Sequence, residues 1–291
     1  MQRLLIIGCG DVVSRALPWL TRRYRVYATA RTAAHGAELR ARGVTPILAD
    51  LDRPRTLARL AGIGNLVLHS APPQDSGTRD LRTRRLVAAL ARGQVPPQRL
   101  VYISTSGVYG DCGGAWVGET RPVRPQTARG RRRADAEAVL RRFGVRSGTA
   151  VAILRAPGIY AADRLPLARL QRHDPVLAAQ EDVFTNHIHA EDLAHIAALA
   201  LSRGRPGRTY NAADDSRMKM GDYFDLVADA FNLPRPPRVS RAEAGTRLGA
   251  AALSFMGESR RLANGRIKRE LGIRLKYPTV ASGVAAAAHK E

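Results

Sequence analysis

Short apolar runs alternate along this chain with longer stretches of helical period. Arg3 to Ile7 reads as a strand, Asp11 to Arg23 as a helix and Arg25 to Ala30 as a second strand, so the opening is a β-turn-α-β unit. A helix over about Ala33 to Arg42 leads to a strand near Val44 to Ala49, and a short helix at Leu57 to Leu60 precedes a strand at Asn65 to Ser70. Arg79 to Arg92 has helical period, with Leu81, Leu86, Val87 and Leu90 facing inward. Val95-Pro96-Pro97 breaks it before the strand Arg99 to Thr105. These strands are apolar on both faces, which suits a parallel sheet covered by helices on both sides. Gly110 to Thr127 reads as a long surface loop, followed by a helix at Arg131 to Phe143 and a strand at Ala150 to Arg155. Beyond Pro157 the order is less regular, with helices at Ala190 to Ser202 and Gly221 to Phe231, a proline-rich linker at Leu233 to Arg238, and an Ala285 to Ala288 run that ends as a frayed tail or a helix end.

Composition narrows the class. A chain of 291 residues with 45% apolar content can bury a large core. No stretch is apolar enough to span a bilayer, and the apolar start ends in a Gly turn without a cleavage site, so it reads as a first strand and the expected location is cytoplasmic. Cys9 and Cys112 are the only cysteines, which encodes neither a disulfide framework nor a multi-cysteine metal site. The net charge of +22 raises a polyanionic partner. Lysine occurs only at 219, 268, 276 and 290, so the charge is a chain-wide arginine bias, and no nucleic-acid reading motif or aromatic platform accompanies it. Nucleic acid is therefore the remote reading. The exception to the even spread is the cluster Arg129, Arg131, Arg132 and Arg133.

The candidate chemistry begins at Gly8-Cys9-Gly10-Asp11-Val12, between the first strand and the first helix. Gly8 makes the tight turn, Gly10 lets a pyrophosphate approach the backbone, and the helix N-terminus supplies N–H donors. Val13 occupies the third glycine position of the dinucleotide fingerprint, implying slightly wider helix-strand packing. The second strand ends in Arg31 where an NAD site would place a carboxylate, so a 2′-phosphate is favoured and the expected cofactor is NADP, with NAD as the alternative. Asp50 and Leu51 are positioned toward the adenine, and Ser70, Ala71 and Pro72 follow the fourth strand on the same rim. The expected fold is thus α/β: a Rossmann-type doubly wound parallel sheet, with residues 1–160 as the NAD(P)-binding core and 161–291 completing the sheet and forming a small C-terminal substrate lobe.

Several ordered segments resemble the NAD-dependent epimerase/dehydratase branch of the extended short-chain dehydrogenases. They are Val101 to Asp111 (VYISTSGVYGD), Leu154 to Tyr160 (LRAPGIY), Asn186 to Ala194 (NHIHAEDLA), Thr209 to Ala213, Lys268 to Gly272 and Tyr277 to Thr279. The resemblance implies that Ser104 and Pro157 border the cofactor and that Thr105 belongs to the reaction centre. It also implies a Tyr and, four residues later, a Lys. The aligned segment, Pro125 to Glu137 (PQTARGRRRADAE), puts Arg129 and Arg133 at those two positions.

Arginine, with a pKa above about 12, neither gives nor takes a proton near neutrality. Arg129 and Arg133 could instead hold the cofactor, or clamp an anionic substrate and stabilise an oxyanion. A basic surface left after a lost role is the other reading. Tyr109, four residues past Thr105, is a candidate replacement acid, as are Tyr160, His187 and His189, and each has a stronger bland reading, Tyr109 and Tyr160 as packing residues usual in their motifs. His187 and His189 do not form a metal site, and Asp192 reads as a helix-end carboxylate. The sequence therefore supports an NAD(P)-dependent oxidoreductase or epimerase-like enzyme on a small substrate, anionic in one version, or a non-catalytic dinucleotide sensor or scaffold. Monomer and homodimer both remain open, since helices corresponding to Arg79 to Arg92 and Arg131 to Phe143 pair in such dimers but here carry many arginines.

Overall fold

The computed structural model describes residues 1–289. The apolar runs become β1 (Arg3–Ile7), β2 (Arg25–Ala30), β3 (Thr45–Leu48), β4 (Leu66–His69) and β5 (Arg99–Thr105). With strands Ala150–Ala156 and Thr209–Asn211 they form one seven-stranded sheet in the order Thr209–Asn211, Ala150–Ala156, β5, β4, β1, β2, β3. Every neighbouring pair is parallel. The sheet is the expected Rossmann-type doubly wound arrangement. The chain winds outward in opposite directions from β1, and the crevice between β1 and β4 opens at the carboxyl ends of the strands, where open α/β sheets take their ligands.

The two faces of β1 show why its residues are all apolar. Leu4 and Ile6 pack on one side with Val13, Leu17 and Leu20 of α1 (Asp11–Arg23) and with Leu193 and Ile196 of helix Ala190–Arg203. Leu5 and Ile7 pack on the other with Leu86 and Leu90 of α3 (Leu81–Leu90) and Leu140 and Phe143 of α4 (Ala128–Ser147). Between α1 and α3, α2 (Ala33–Ala41) follows β2. A further apolar cluster gathers Tyr160, Leu170, Val176, Phe224, Val227 and Val284 among elements outside the sheet.

Three local expectations change. Helix α4 starts at Ala128, three residues ahead of Arg131, because the Thr127 side chain accepts from the Gly130 N–H and caps the turn; Arg129 is thereby helical. Leu81 is exposed, since it directly follows the Asp80 cap and precedes the inward-facing turn of α3. The segment 110–127 contains a two-residue strand, Trp116–Val117, that pairs with Arg261–Leu262. The Ala285 to Ala288 run is the end of helix Val280–Ala288. Among the described residues no helix is long and apolar enough to cross a membrane, and no cluster of His, Cys, Asp or Glu could hold a metal ion.

Candidate functional site

A cavity of about 1000 Å³ runs along the carboxyl ends of the strands. At its centre, Gly8 has φ +85°, and a Cβ there would lie 2.7 Å from the Ala71 nitrogen. The Gly8 N–H donates to Thr29 Oγ1 at 3.1 Å, and the Ser70 hydroxyl donates to the Gly8 carbonyl, so the ends of β1, β2 and β4 are tied together. Gly10 is the N-cap of α1 and has no side-chain cap. A Cβ at Gly10 would meet nothing within 4 Å. Open space, uncapped N–H groups and the helix dipole make this turn suited to a phosphate. Asp11 sits in the same turn, but its carboxylate is engaged by Arg15 at 2.9 Å and Arg164 at 3.0 Å, which offsets its charge. Cys9 and Val12 also line the cavity.

Toward β3 the lining includes Arg31, Thr32, His35, Asp50 and Leu51. Arg31 is exposed at the end of β2, and Asp50 Oδ1 accepts from the Asp52 N–H at 2.9 Å in a tight side-chain turn. Between this region and the centre lie Ser70, Ala71 and Pro72. Arg82, which sequence reasoning did not single out, braces that loop: it donates to Asp52 Oδ1 at 2.9 Å and to the carbonyls of Pro72 and Pro73 at 3.1 and 3.3 Å. Nothing in the helical pattern of α3 distinguishes Arg82 from its neighbouring arginines.

At the other end stand Ser104, Thr105, Arg129, Arg133 and Pro157. Thr105 Oγ1 accepts from the Gly107 N–H at 3.2 Å. The Ser104 hydroxyl donates to Glu137 Oε1 at 2.7 Å, and Glu137 is ion-paired with Arg155 below it. Arg133 turns inward, donating through Nη1 to the Tyr102 hydroxyl and to the Ile103 carbonyl, each at 2.9 Å. Arg129 is exposed along the cavity wall with its guanidinium carbon 4.3 Å from the Phe255 ring centre.

Tyr109 is not brought to the cavity. It is buried under Arg155, 4.6 Å from its ring centre, and its hydroxyl donates to Asn211 at 2.8 Å; burial pushes its phenol above the ordinary range. The other candidates are also packed away from the lining. Tyr160 donates to the Thr279 carbonyl, and His187 lies against the Tyr160 and Tyr223 rings with its imidazole lowered to about 4 by burial. His189 accepts from the Glu191 N–H as a helix cap. Asp192 lies in the first turn of that helix, as expected, and its carboxylate accepts from the backbone N–H groups of Lys276 and Tyr277.

Residues from the second half of the chain close this end: Phe184, Asn186, Met220, Phe255, Glu258 and Arg260. Arg260 places Nη1 and Nη2 each 2.9 Å from Glu258 Oε2, and Nη1 also donates to the Gly110 carbonyl at 2.7 Å. Asn186 fixes the segment by donating to the Arg260 carbonyl and accepting from the Leu262 N–H. The contact between Arg260 and Gly110 spans 150 positions, and no local pattern announces it.

Residues 14–213 match the model of the NAD dependent epimerase/dehydratase family. The chain belongs to that family. No curated protein matches the sequence. Among solved structures, it is similar to a functionally unknown conserved protein from Silicibacter pomeroyi (30% identity, TM-score 0.80, covering 100% of this chain and 99% of the other). It shares its fold with a dTDP-glucose 4,6-dehydratase from Streptomyces venezuelae solved with NAD bound (20% identity, TM-score 0.78, covering 99% and 96%). It also shares it with a UDP-glucuronic acid 4-epimerase from Bacillus cereus in complex with NAD (15% identity, TM-score 0.76, covering 99% and 97%).

Proposed function

We propose that this chain binds an NAD(P) dinucleotide, NADP in preference to NAD, along the carboxyl edge of the sheet. On a small substrate seated beyond Thr105 it acts as an oxidoreductase or epimerase-like enzyme without a Tyr-x-x-x-Lys relay. One observation carries the reading: a single cavity joins the Gly8 to Gly10 turn to Thr105, Arg129 and the Glu258–Arg260 pair. Arg31 and the absence of a carboxylate at the end of β2 support NADP, because a guanidinium pairs with a 2′-phosphate.

A nicotinamide bound there would give or accept hydride. The chain supplies position and charge. Thr105 offers a hydroxyl at the end of β5 to the substrate oxygen, and Arg129 holds negative charge. Neither arginine exchanges a proton, so that task falls to Glu258, whose Oε1 is buried without a hydrogen-bond partner. A second reading, a dinucleotide sensor without turnover, is favoured by Arg133, whose Nη1 is engaged by Tyr102 and Ile103 inside the fold.

The test is thermal stabilisation by NADPH against NADH, followed by NADPH oxidation across a panel of carbonyl compounds. A larger shift with NADPH and turnover with at least one carbonyl are expected. A shift without turnover selects the sensor, and no shift with either dinucleotide removes both readings.

A further inference from the structure

The arginines that line the cavity divide into two kinds. Arg82 donates to Asp52, Arg132 to the Gly77 carbonyl, Arg133 to the Ile103 carbonyl, Arg164 to Asp11 and Arg260 to Glu258. Arg31 and Arg129 have no hydrogen-bond acceptor among the described residues, and they stand at opposite ends of the cavity. Arg31 is accounted for by a 2′-phosphate. Arg129 is not.

The setting of Arg129 defines what it would bind. Its guanidinium carbon lies 4.3 Å from the centre of the Phe255 ring, a cation–π contact that leaves its N–H donors without a protein acceptor among the described residues. A planar fork held in that way matches a carboxylate through two parallel hydrogen bonds. Glu258 lies close enough to interact electrostatically with Arg129, yet its Oε2 is already taken by both terminal nitrogens of Arg260. Arg260 thus compensates the Glu258 charge, and the charge left over is that of Arg129, reinforced by Arg133 and Arg132 one turn along α4.

The second pole is Glu258 Oε1. Its side chain is 9% exposed, lines the cavity, and leaves this oxygen without a donor. A buried carboxylate oxygen in that state costs free energy that a ligand O–H or N–H would recover. We infer that Arg129 and Glu258 form a two-pole subsite for a small hydroxycarboxylate, the carboxylate on Arg129 and the hydroxyl donating to Glu258 Oε1. This rests on the reading that a substrate sits beyond Thr105, and it names that substrate's class.

Lactate, propionate and lactamide separate the two poles, since propionate lacks the hydroxyl and lactamide lacks the charge. Binding is followed by calorimetry and thermal shift on the full chain, both alone and saturated with NADP⁺. Lactate should bind roughly tenfold or more tightly than either analogue. Arg129→Ala should bring lactate down to the lactamide level, Arg129→Lys should fall between because it keeps the charge without the fork, and Arg146→Ala, at an exposed arginine of α4 outside the cavity lining, should leave lactate unaffected. Equal binding of the three probes, no lactate binding in either state, or wild-type lactate binding by Arg129→Ala would overturn the inference. If NADP⁺ itself fails to bind while lactate still discriminates, the cofactor reading falls and the subsite stands.

Discussion

Arg155 meets Glu137 through two contacts, Nε to Oε1 at 3.1 Å and Nη2 to Oε2 at 2.7 Å, with each side chain 5% exposed. Glu137 also accepts from Ser104, so the pair props the end of β5 immediately before Thr105. Removing one member leaves the other charge buried and unpaired. Glu137→Gln should therefore cost about 3–5 kcal/mol in urea denaturation. Replacing both residues with apolar ones, Glu137→Met with Arg155→Leu, should recover much of that loss. An unchanged midpoint for Glu137→Gln would refute the structural role.

Gly8 and Gly10 should respond differently to the same substitution. Gly8→Ala forces a Cβ onto Ala71 at a positive φ and should destabilise the fold by about 1–3 kcal/mol, with weaker dinucleotide binding. Gly10→Ala meets open space at φ −88° and should leave the denaturation midpoint nearly unchanged. Any fall in NADPH affinity for Gly10→Ala then reports the room a phosphate needs.

Arg31→Ala tests cofactor choice. Loss of one charged hydrogen-bonding partner is worth about 1.5–3 kcal/mol, so NADPH should weaken by roughly ten- to a hundredfold in fluorescence titration while NADH changes little. Equal weakening of both would assign Arg31 to something other than the 2′-phosphate.

Two buried groups set opposite limbs of the pH profile. Burial pushes the Asp214 carboxyl up to about 7, so the folded chain keeps a proton that the unfolded chain releases near pH 4. The stability linked to that proton is full below about pH 4 and is lost as pH rises through about 7. Asp214→Asn should lose less stability than the parent between pH 5 and 8. His69 acts on the acid side. Burial, with Arg133 nearby, lowers it to about 3, so the folded chain refuses a proton that the unfolded chain takes near 6.5. Its contribution is full above about pH 6.5 and falls toward pH 3, and His69→Gln should make that limb shallower in pH-dependent thermal melts, the buried His187 supplying a further part of it.

Periodicity and turn chemistry alone gathered one rim of the cavity. Gly8 to Val12, Arg31, Asp50, Leu51 and Ser70 to Pro72 all line one cavity because parallel strands end on the same rim, so knowing where each strand stops is enough to gather them. The expectation that Arg129 and Arg133 stand at the Tyr and Lys positions rests likewise on register within one segment, Pro125 to Glu137. The direction of a side chain was not legible in this way. Tyr109 lies four residues past Thr105, but the 3-10 turn Ser106–Tyr109 sends it into the core beneath Arg155.

The amino-acid order thus determined the strands, the tight Gly8 turn and the arginine cluster at the start of α4, because each depends on residues within a few positions of one another. Only the tertiary structure decided that Arg133 is spent inside the fold while Arg129 is left over, and that Phe255, Glu258 and Arg260 stand beside it. Those neighbours come from more than 100 positions away in the chain, and long-range packing, which no local pattern encodes, brings them to the end of β5.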